Sequence, residues 1–539
     1  RYMDLNMLIA LGGGLGLFIY GMKMLGDGLE NAAGNRLKRL LEILTTNRLM
    51  GVLVGAVVTA IIQSSSATTV MLVGFVNAGI MSLAQTVGVI MGANIGTTIT
   101  AQLIAFNLTD IAPLAVFIGV GLIFFAKKTF WKKIGEIIAG FGILFIGMGM
   151  MSAAMAPLRD EPAFRNFLVG FKNPVWGVLA GCIFTAIIQS SSASVGILQA
   201  LAMQGLIGLD GAIYVLFGQN IGTCITAILA SIGTNVNAKR TAFIHLLFNV
   251  IGTVIFMAAI QLGVPYVEWI ESLSPGDTMR QIANAHTGFN IVNTLILLPL
   301  GSYLVKFAEK AIPGGEIGYD EKRLMYVDKR ILETPPIAVA QIMKEVQRMA
   351  DLSKSNAHTA MEAIMKKDEN LIDDVYRKED IINYLNSEIT NYLVLCNGLD
   401  LPSRDLKLVG GLFHVVNDIE RIGDHAENLV EYAEYFIENN LEFSDIAVED
   451  LEQATKKVMA LLDNSIAVLN TGDKNLAKQV EKQEEETDEL LELLRERHID
   501  RLNNQTCNPS AGVVFLDIIT NLERIADHGI NIAQYVLES

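Results

Sequence analysis

Charge is scarce in the first three hundred residues, and that shortage governs the reading of the whole chain. Up to Lys310 there are 18 Lys+Arg and 13 Asp+Glu, a balance of 18 − 13 = +5. Beyond it lie 41 − 18 = 23 basic and 57 − 13 = 44 acidic residues, a balance of −21. The overall charge of −16 therefore averages two physically different parts. The carboxylate surplus leaves no basic surface for a nucleic-acid partner. Cysteine is scarce too. Cys182, Cys224, Cys396 and Cys507 form no CxxC pair, which argues against a disulfide framework or a zinc site. No constellation for covalent chemistry stands out, so the chain does not read as an enzyme.

What the first part holds instead is apolar length. Runs at 5–25, 84–106, 111–126, 134–156, 241–263 and 282–305 approach or reach the roughly 20 residues a helix needs to cross a bilayer. Several are short or broken by glycine, as packed membrane helices are. Residues 5–25 lack a signal-peptide cleavage pattern and read as a retained span.

An internal repeat organises this part. "LVGAVVTAIIQSSSATTVMLVGF" (53–75) returns as "LAGCIFTAIIQSSSASVGILQAL" (179–201), with Gln63 matching Gln189 at an offset of 189 − 63 = 126. The same offset carries "GANIGTTIT" (92–100) onto "GQNIGTCIT" (218–226), and "GLFIYGMKM" (16–24) onto "GILFIGMGM" (142–150). One unbroken register implies duplication of a whole structural unit. Basic segments lie between the motifs. Those at 35–48 and 158–173 carry Leu37, Leu40, Leu41 and Leu44, and Phe164, Phe167, Leu168 and Phe171, at the spacing of interfacial amphipathic helices.

The run Gln-Ser-Ser-Ser breaks an apolar stretch into two halves, each shorter than a span. A break at membrane depth is tolerated where protein covers it or where it lines a watery cavity. It supplies free N–H groups from one half-helix, which suit an anion, and free carbonyls from the other, which suit a cation. Serine and threonine hydroxyls serve either. One such serine would be helix glue; a complete run occurring twice predicts a ligand site. No Lys or Arg lies in these segments, so a bound anion needs neutral donors and co-bound cations. The segments "NIGTT" (94–98) and "NIGTC" (220–224) add an amide, hydroxyls and a glycine that permits an unusual turn. A third pattern, "HLLFN" (245–249) and "HTGFN" (286–290), sets His and Asn one turn apart in two late spans. It fits a functional pair and a helix-to-helix tie equally well.

Duplicated QSSS followed by NIGT resembles the type II sodium–phosphate cotransporter family over roughly residues 5–305. The resemblance implies two inverted repeats with QSSS in re-entrant hairpins, and movement of inorganic phosphate with sodium. It places Ser64, Ser65, Ser66, Ser190, Ser191 and Ser192 near phosphate. It makes Gln63, Thr68, Asn94, Thr97, Thr98, Gln189, Ser194, Asn220 and Thr223 sodium ligands or their supports. The second copy departs from the first: "QSSSASV" lacks the threonine pair, and Cys224 replaces a threonine.

The acidic part follows a Pro/Gly boundary, "EKAIPGGEIGYDE" (309–321). Leu371, Val375, Ile382, Leu385, Ile389 and Leu393 recur at helical spacing. Breaks at 397–403, 439–445, 470–475 and 503–510 leave about six helices. "NDIERIGDHAENL" (417–429) returns as "TNLERIADHGINI" (520–532), and "NLIDDVYRKED" (370–380) loosely as "NLAKQVEKQEE" (475–485). Two three-helix bundles fit. This part resembles PhoU, a helical regulator of phosphate uptake, over about 335–537. The resemblance makes Glu420 with Asp424, and Glu523 with Asp527, ligands for a divalent or iron-type metal.

The expectation is an all-α chain. A membrane domain at 1–310 holds repeat one at about 5–126, repeat two at about 134–262 and a final span at about 282–305. A linker at 311–334 leads to a PhoU-like domain at 335–539. Its expected role is sodium-coupled phosphate symport across the bacterial plasma membrane, with the acidic domain in the cytoplasm. There it would meet a regulatory partner, and a homo-oligomer is compatible with the reading. Phosphate or oxyanion export, and membrane-anchored phosphate sensing, are the alternatives.

Overall fold

A computed structural model describes residues 5–33, 47–315, 321–333, 335–399 and 401–538. The chain divides into two compact units, Arg1–Glu316 and Ile317–Ser539. Both are helical, with no strand among the described residues.

The first unit opens with α1 (Leu5–Ala33), α2 (Arg48–Ile62), α3 (Ser65–Asn77), α4 (Leu83–Ile104) and α5 (Ala112–Phe125). It continues with α6 (Thr129–Met155), α7 (Pro162–Val169), α8 (Pro174–Ile188), α9 (Ser191–Met203), α10 (Leu209–Gly222), α11 (Cys224–Ala230) and α12 (Val236–Gln261). It ends with α13 (Tyr266–Leu273), α14 (Thr278–Leu297) and α15 (Gly301–Ala311). The sequence repeat is a structural repeat. The bounds of α2 and α3 return in α8 and α9 at the offset 174 − 48 = 126, and α10 starts at that offset from α4.

Close packing explains the glycines of the repeats. A Cβ on Gly92 would lie 2.1 Å from the Val52 carbonyl oxygen, and one on Gly218 2.0 Å from that of Val178. Gly96 and Gly222 would each come within 2.4 Å of a carbonyl, those of Ala56 and Cys182. Glycine at every fourth position thus lets α4 and α10 press their backbones onto the short helices α2 and α8. The sequence suggested an unusual turn at the NIGT glycine. Gly96 instead sits inside an unbroken helix, because what it must avoid is a side chain in the α2 contact.

The copies also meet across a self-complementary contact. Gly21 of α1 presses on Gly140 and Leu144 of α6, while its equivalent Gly147 presses on Gly14 and Phe18. The partners are related by the same 126, since 140 − 14 = 126 and 144 − 18 = 126. Such reciprocity marks a local two-fold axis, and it makes the equivalent helices α1 and α6 antiparallel.

Among the described residues five helices are long and apolar enough to cross a membrane, or seven if two bent pairs each count as one. All three tryptophans, Trp131, Trp176 and Trp269, are exposed on this unit, among exposed side chains such as Phe117, Phe124, Phe125 and Leu295. That surface is what a bilayer with its interfacial aromatic belt covers. The expected span at 111–126 is only the 14-residue α5. The run 282–305 is not one straight span. It bends by 83° between α14 and α15, where Pro299 removes an N–H from the helix ladder. A span-length stretch at Leu209–Ala230 escaped the sequence reading because Gly, Gln, Asn and Thr dilute its apolar character. The segment around Leu37, Leu40, Leu41 and Leu44 lies outside the described residues.

Among its described residues the second unit has six long helices: α16 (Pro335–Lys366), α17 (Glu369–Asn397), α18 (Ser403–Glu438), α19 (Asp445–Thr471), α20 (Lys474–Asn503) and α21 (Pro509–Glu538). They pack as two three-helix bundles, α16–α18 and α19–α21. Four inter-helix breaks fall at the Gly, Pro and Asn clusters read from sequence. The fifth, at Lys367 and Asp368, has none of these residues. Lys367 takes a left-handed φ of 51°, and Asp368 caps α17.

Candidate functional site

Each QSSS run folds as a tight, capped break. Gln63 closes α2 in the left-handed region (φ 59°, ψ 24°), and Ser64 is extended (φ −148°, ψ 105°). Gln189 and Ser190 repeat this at φ 58°, ψ 24° and φ −141°, ψ 108°. A left-handed non-glycine residue costs roughly 1–2 kcal/mol and persists where its surroundings hold it. The Gln63 amide does so by donating to the Ala60 carbonyl. Ser64 and Ser190 then cap the next helices, accepting from the N–H groups of Ala67 (3.1 Å) and Ala193 (3.2 Å). The first-turn N–H groups of α3 and α9 have no carbonyl one turn earlier to bond.

A hydroxyl clasp closes each hairpin. Thr59 donates to Thr68 at 2.9 Å, and Thr185 to Ser194 at 2.7 Å. The departure of the second copy is therefore conservative where it matters: Ser194 keeps the hydroxyl of Thr68. The other threonine of the first copy, Thr69, bonds its own backbone at the Ser65 carbonyl (2.9 Å), so Val195 can replace it.

The two breaks meet through a residue that sequence reasoning missed. Thr100 Oγ1 donates to Gln63 Oε1 at 2.9 Å and accepts from Ser192 Oγ at 3.4 Å. One buried hydroxyl thus joins the first break to the first turn of α9. The signal was present, since Thr100 ends the repeated "GTTIT", but only the fold shows that it points across the repeats. The arrangement is asymmetric. Gln63, Ser65, Ser191 and Ser192 are buried, Ser64, Ser66 and Ser190 half-buried, and Gln189 exposed. Thr226, the counterpart of Thr100, donates to the Thr223 carbonyl of its own helix at 3.0 Å.

The NIGT residues divide. Thr97, Thr98 and Thr223 spend their hydroxyl protons on carbonyls of their own helices, and the Asn94 amide donates to the Ile90 carbonyl at 2.8 Å. Asn220 instead reaches another helix, with its Oδ1 3.1 Å from His286 Nε2. Arg280 of α14 was also invisible in the local motifs. Its guanidinium donates to Gln102 Oε1 at 2.9 Å, two residues beyond Thr100.

In the second unit the paired motifs face one another. His425 Nδ1 lies 2.8 Å from Asn521 Oδ1, and its counterpart His528 Nδ1 lies 2.8 Å from Asp418 Oδ1. The two rings stack with centroids 5.7 Å apart. The two histidines thus form the seam between α18 and α21. The carboxylates do not fit a metal as placed. Asp424 pairs with Arg421 (3.1 Å), Asp527 with Arg524 (3.3 Å), and Glu523 with Arg495 (2.5 Å). No group of three or more His, Cys, Asp or Glu could hold a metal ion among the described residues. Burial, and next the charge of Asp424, raises the affinity of Glu420 for its proton. Glu379 of α17 is pushed up to about 8, chiefly by burial and then by Asp424, Glu427 and Glu420.

Residues 17–153 and 159–274 match the profile of a family described as Na+/Pi-cotransporter, and residues 346–433 and 451–536 match the PhoU domain. YqeW of Bacillus subtilis is 38% identical over 209 residues, covering 38% of this chain and 67% of that protein. YjbB of Escherichia coli K12, a protein named for inorganic phosphate export, is 23% identical over 534 residues, covering 98% of this chain and 97% of that protein. The crystal structure of PhoU from Pseudomonas aeruginosa aligns at 22% identity with a TM-score of 0.36, covering 38% of this chain and 96% of that one.

Proposed function

Since the chain belongs to the Na+/Pi-cotransporter family and carries a PhoU domain behind its membrane unit, we propose that it is a sodium-coupled carrier of inorganic phosphate in the bacterial plasma membrane. The PhoU domain lies in the cytoplasm and sets the carrier's activity. The observation that supports this best is the junction of two capped helix breaks through Gln63, Thr100 and Ser192.

Phosphate is held by neutral donors: the first-turn N–H groups of α3 and α9 and the hydroxyls of Ser65, Ser66, Ser191 and Ser192. An anion so held at membrane depth needs a counter-charge, and sodium supplies it. Carbonyls at the ends of α2 and α8, with the Gln63 and Gln189 amides, are the oxygen ligands such an ion takes. The antiparallel pairing of α1 with α6 supports inverted repeats, because equivalent helices then cross the membrane in opposite senses. In such a pair, exchange of conformation between the repeats moves the site from one side to the other. The unequal exposure of Gln63 and Gln189 is the difference that would be exchanged.

The likeness to YjbB over nearly its full length favours a second reading for direction, net export. Both readings rest on one carrier, which runs down whichever combined gradient dominates. Radiolabelled phosphate uptake into proteoliposomes, under an inward sodium gradient and with potassium in its place, tests the proposal. Sodium-dependent accumulation lost in Ser65→Ala is expected. Phosphate binding without accumulation would make the protein a sensor, and loss of outward flux on reversing the sodium gradient would exclude export.

A further inference from the structure

A second, shorter repeat lies outside the QSSS and NIGT motifs. His245, Asn249 and Thr253 stand one helical turn apart along α12, and His286, Asn290 and Thr294 do the same along α14. The pattern H-x-x-F-N-x-x-x-T recurs at an offset of 286 − 245 = 41. All six side chains are at most 4% exposed. The two helices touch between these residues. Asn293 Nδ2 donates to the Phe248 carbonyl at 3.0 Å, and a Cβ on Gly252 would lie 2.2 Å from the Asn293 amide. Phe256 packs on Phe289 with ring centroids 4.8 Å apart, so the helices run antiparallel. In that register Asn249 and Thr253 lie on the same side of the contact as Thr294 and Asn290. The NIGTC segment forms a third wall, with Asn220 against His286 (3.1 Å) and Cys224 against Asn249 (3.3 Å).

These side chains carry bare atoms. Asn249 and Asn290 each donate their amide hydrogens to the carbonyl four residues back, at 3.1 and 2.9 Å. Their Oδ1 atoms remain without a hydrogen-bond partner, as do Thr253 Oγ1, Thr294 Oγ1 and His286 Nδ1. Asn220 Oδ1 can only accept, so His286 Nε2 donates to it, and in the tautomer with one ring proton Nδ1 is left as an acceptor. Both ring nitrogens of His245 and the Asn220 Nδ2 are bare as well. Orphaned buried polar atoms are costly, and most threonines in this unit avoid the cost by bonding their own backbone. Acceptors outnumber donors here, and no carboxylate is among them. That donor set suits a monovalent cation dehydrated by neutral oxygens. A divalent ion asks for carboxylates, and an anion asks for donors.

We propose that the α12–α14 contact holds a sodium site built from Asn249, Thr253, Asn290 and Thr294, reaching the transport motifs through Asn220 and Cys224. The proposal deepens the sodium coupling proposed above and rests on it. Its test is equilibrium binding of radiolabelled sodium to the full-length protein, without phosphate and in a choline background. The variants are Thr294→Val, Thr253→Val and Asn290→Leu, with Thr294→Ser as rescue and Ser65→Ala as comparison. The expected result is a tenfold or greater loss of affinity for one sodium in Thr294→Val and Asn290→Leu. Thr294→Ser and Ser65→Ala retain that ion. Sodium affinity within twofold of the parent in both isosteric valine variants, each monodisperse by size exclusion, overturns the site and leaves only ordered water between the helices. Sodium-dependent uptake in the parent chain separates the two failures. If it persists while the valine variants bind sodium normally, only this site is wrong. If the parent chain shows neither sodium binding nor sodium-dependent uptake, the coupling itself is wrong.

Discussion

Removing one hydroxyl should uncouple the two helix breaks. Thr100→Val keeps the shape of the side chain and removes the donor to Gln63 Oε1 and the acceptor for Ser192 Oγ. The first bond is short and buried, so Gln63 Oε1 is left unpaired at a cost of about 1–3 kcal/mol. The second, at 3.4 Å, contributes little. Gln63 is also the left-handed residue that turns the chain, so its displacement disturbs the first turn of α3 as well. If about 1.4 kcal/mol of this appears in the phosphate-bound state, apparent affinity falls about tenfold. Proteoliposome uptake across a phosphate series measures it. Thr100→Ser should retain near-normal affinity. The equivalent substitution Thr226→Val should cost no more than about twofold, because that hydroxyl bonds only a carbonyl of its own helix. Equal effects of Thr100→Val and Thr226→Val would refute the asymmetric junction, and no effect of either would remove Thr100 from the site.

Three further outcomes are expected. Arg348 and Glu345 form a buried ion pair at 2.7 Å that also holds the chain entering the helical domain, through the Glu321 and Arg323 carbonyls and the Met325 and Tyr326 N–H groups. Arg348→Leu should cost about 3–5 kcal/mol and speed hydrogen exchange at residues 321–333, whereas Arg348→Leu with Glu345→Leu should recover part of the loss; a double variant worse than either single one would contradict a paired charge. Glu379 is pushed up to about 8 by burial and neighbouring carboxylates, so the folded state keeps a proton that the unfolded chain releases near pH 4.3. Its stabilising contribution is complete below that pH and is lost as pH rises through 8, a change on the order of 3–5 kcal/mol; Glu379→Gln should flatten the pH dependence of thermal unfolding between pH 5 and 9, measured with chelator present, and an unchanged slope would show the carboxyl is ionised throughout. Finally, a Cβ on Gly196 would lie 2.1 Å from the buried Phe18 ring, so Gly196→Ala should destabilise the membrane unit by about 1–3 kcal/mol, with Phe18→Leu restoring the melting temperature.

What could be read from the sequence was whatever repeats locally. The QSSS run, its caps and the register between copies depend on neighbours within a few residues, and the backbone angles of Gln63 and Gln189 agree to within a degree. The ERIGDH and ERIADH motifs likewise placed α18 and α21. Contacts between distant elements were not legible. Thr100 looks like one more hydroxyl on an apolar helix until the fold sets it between Gln63 and Ser192. Arg280 lies far along the chain from Gln102, and nothing in either neighbourhood signals their bond. The metal expectation rested on carboxylates one turn apart, but each aspartate also has an arginine three residues before it, and Arg421 and Arg524 pair with Asp424 and Asp527.

Duplication followed by unequal pairing is the pattern common to both units. In the membrane unit α1 and α6 meet reciprocally, yet only Thr100 of the two equivalent threonines crosses between copies. In the helical unit His425 and His528 meet reciprocally, yet one faces the neutral Asn521 and the other the carboxylate Asp418. A perfectly symmetric pair has no preferred state, because exchanging its halves changes nothing. A carrier that alternates needs two states that differ while each remains well packed. Reciprocal glycine contacts supply packing that survives the exchange, and single hydroxyls such as Thr100 are the parts that can switch partner. If the proposed carrier exchanges the two copies, Thr226 becomes the bridging hydroxyl and Thr100 turns back to its own helix. Gln189→Cys should therefore be open to a thiol reagent in the present state, where Gln189 is exposed, while Gln63→Cys, buried here, should react only after exchange; equal labelling of the two under every condition would contradict the asymmetry.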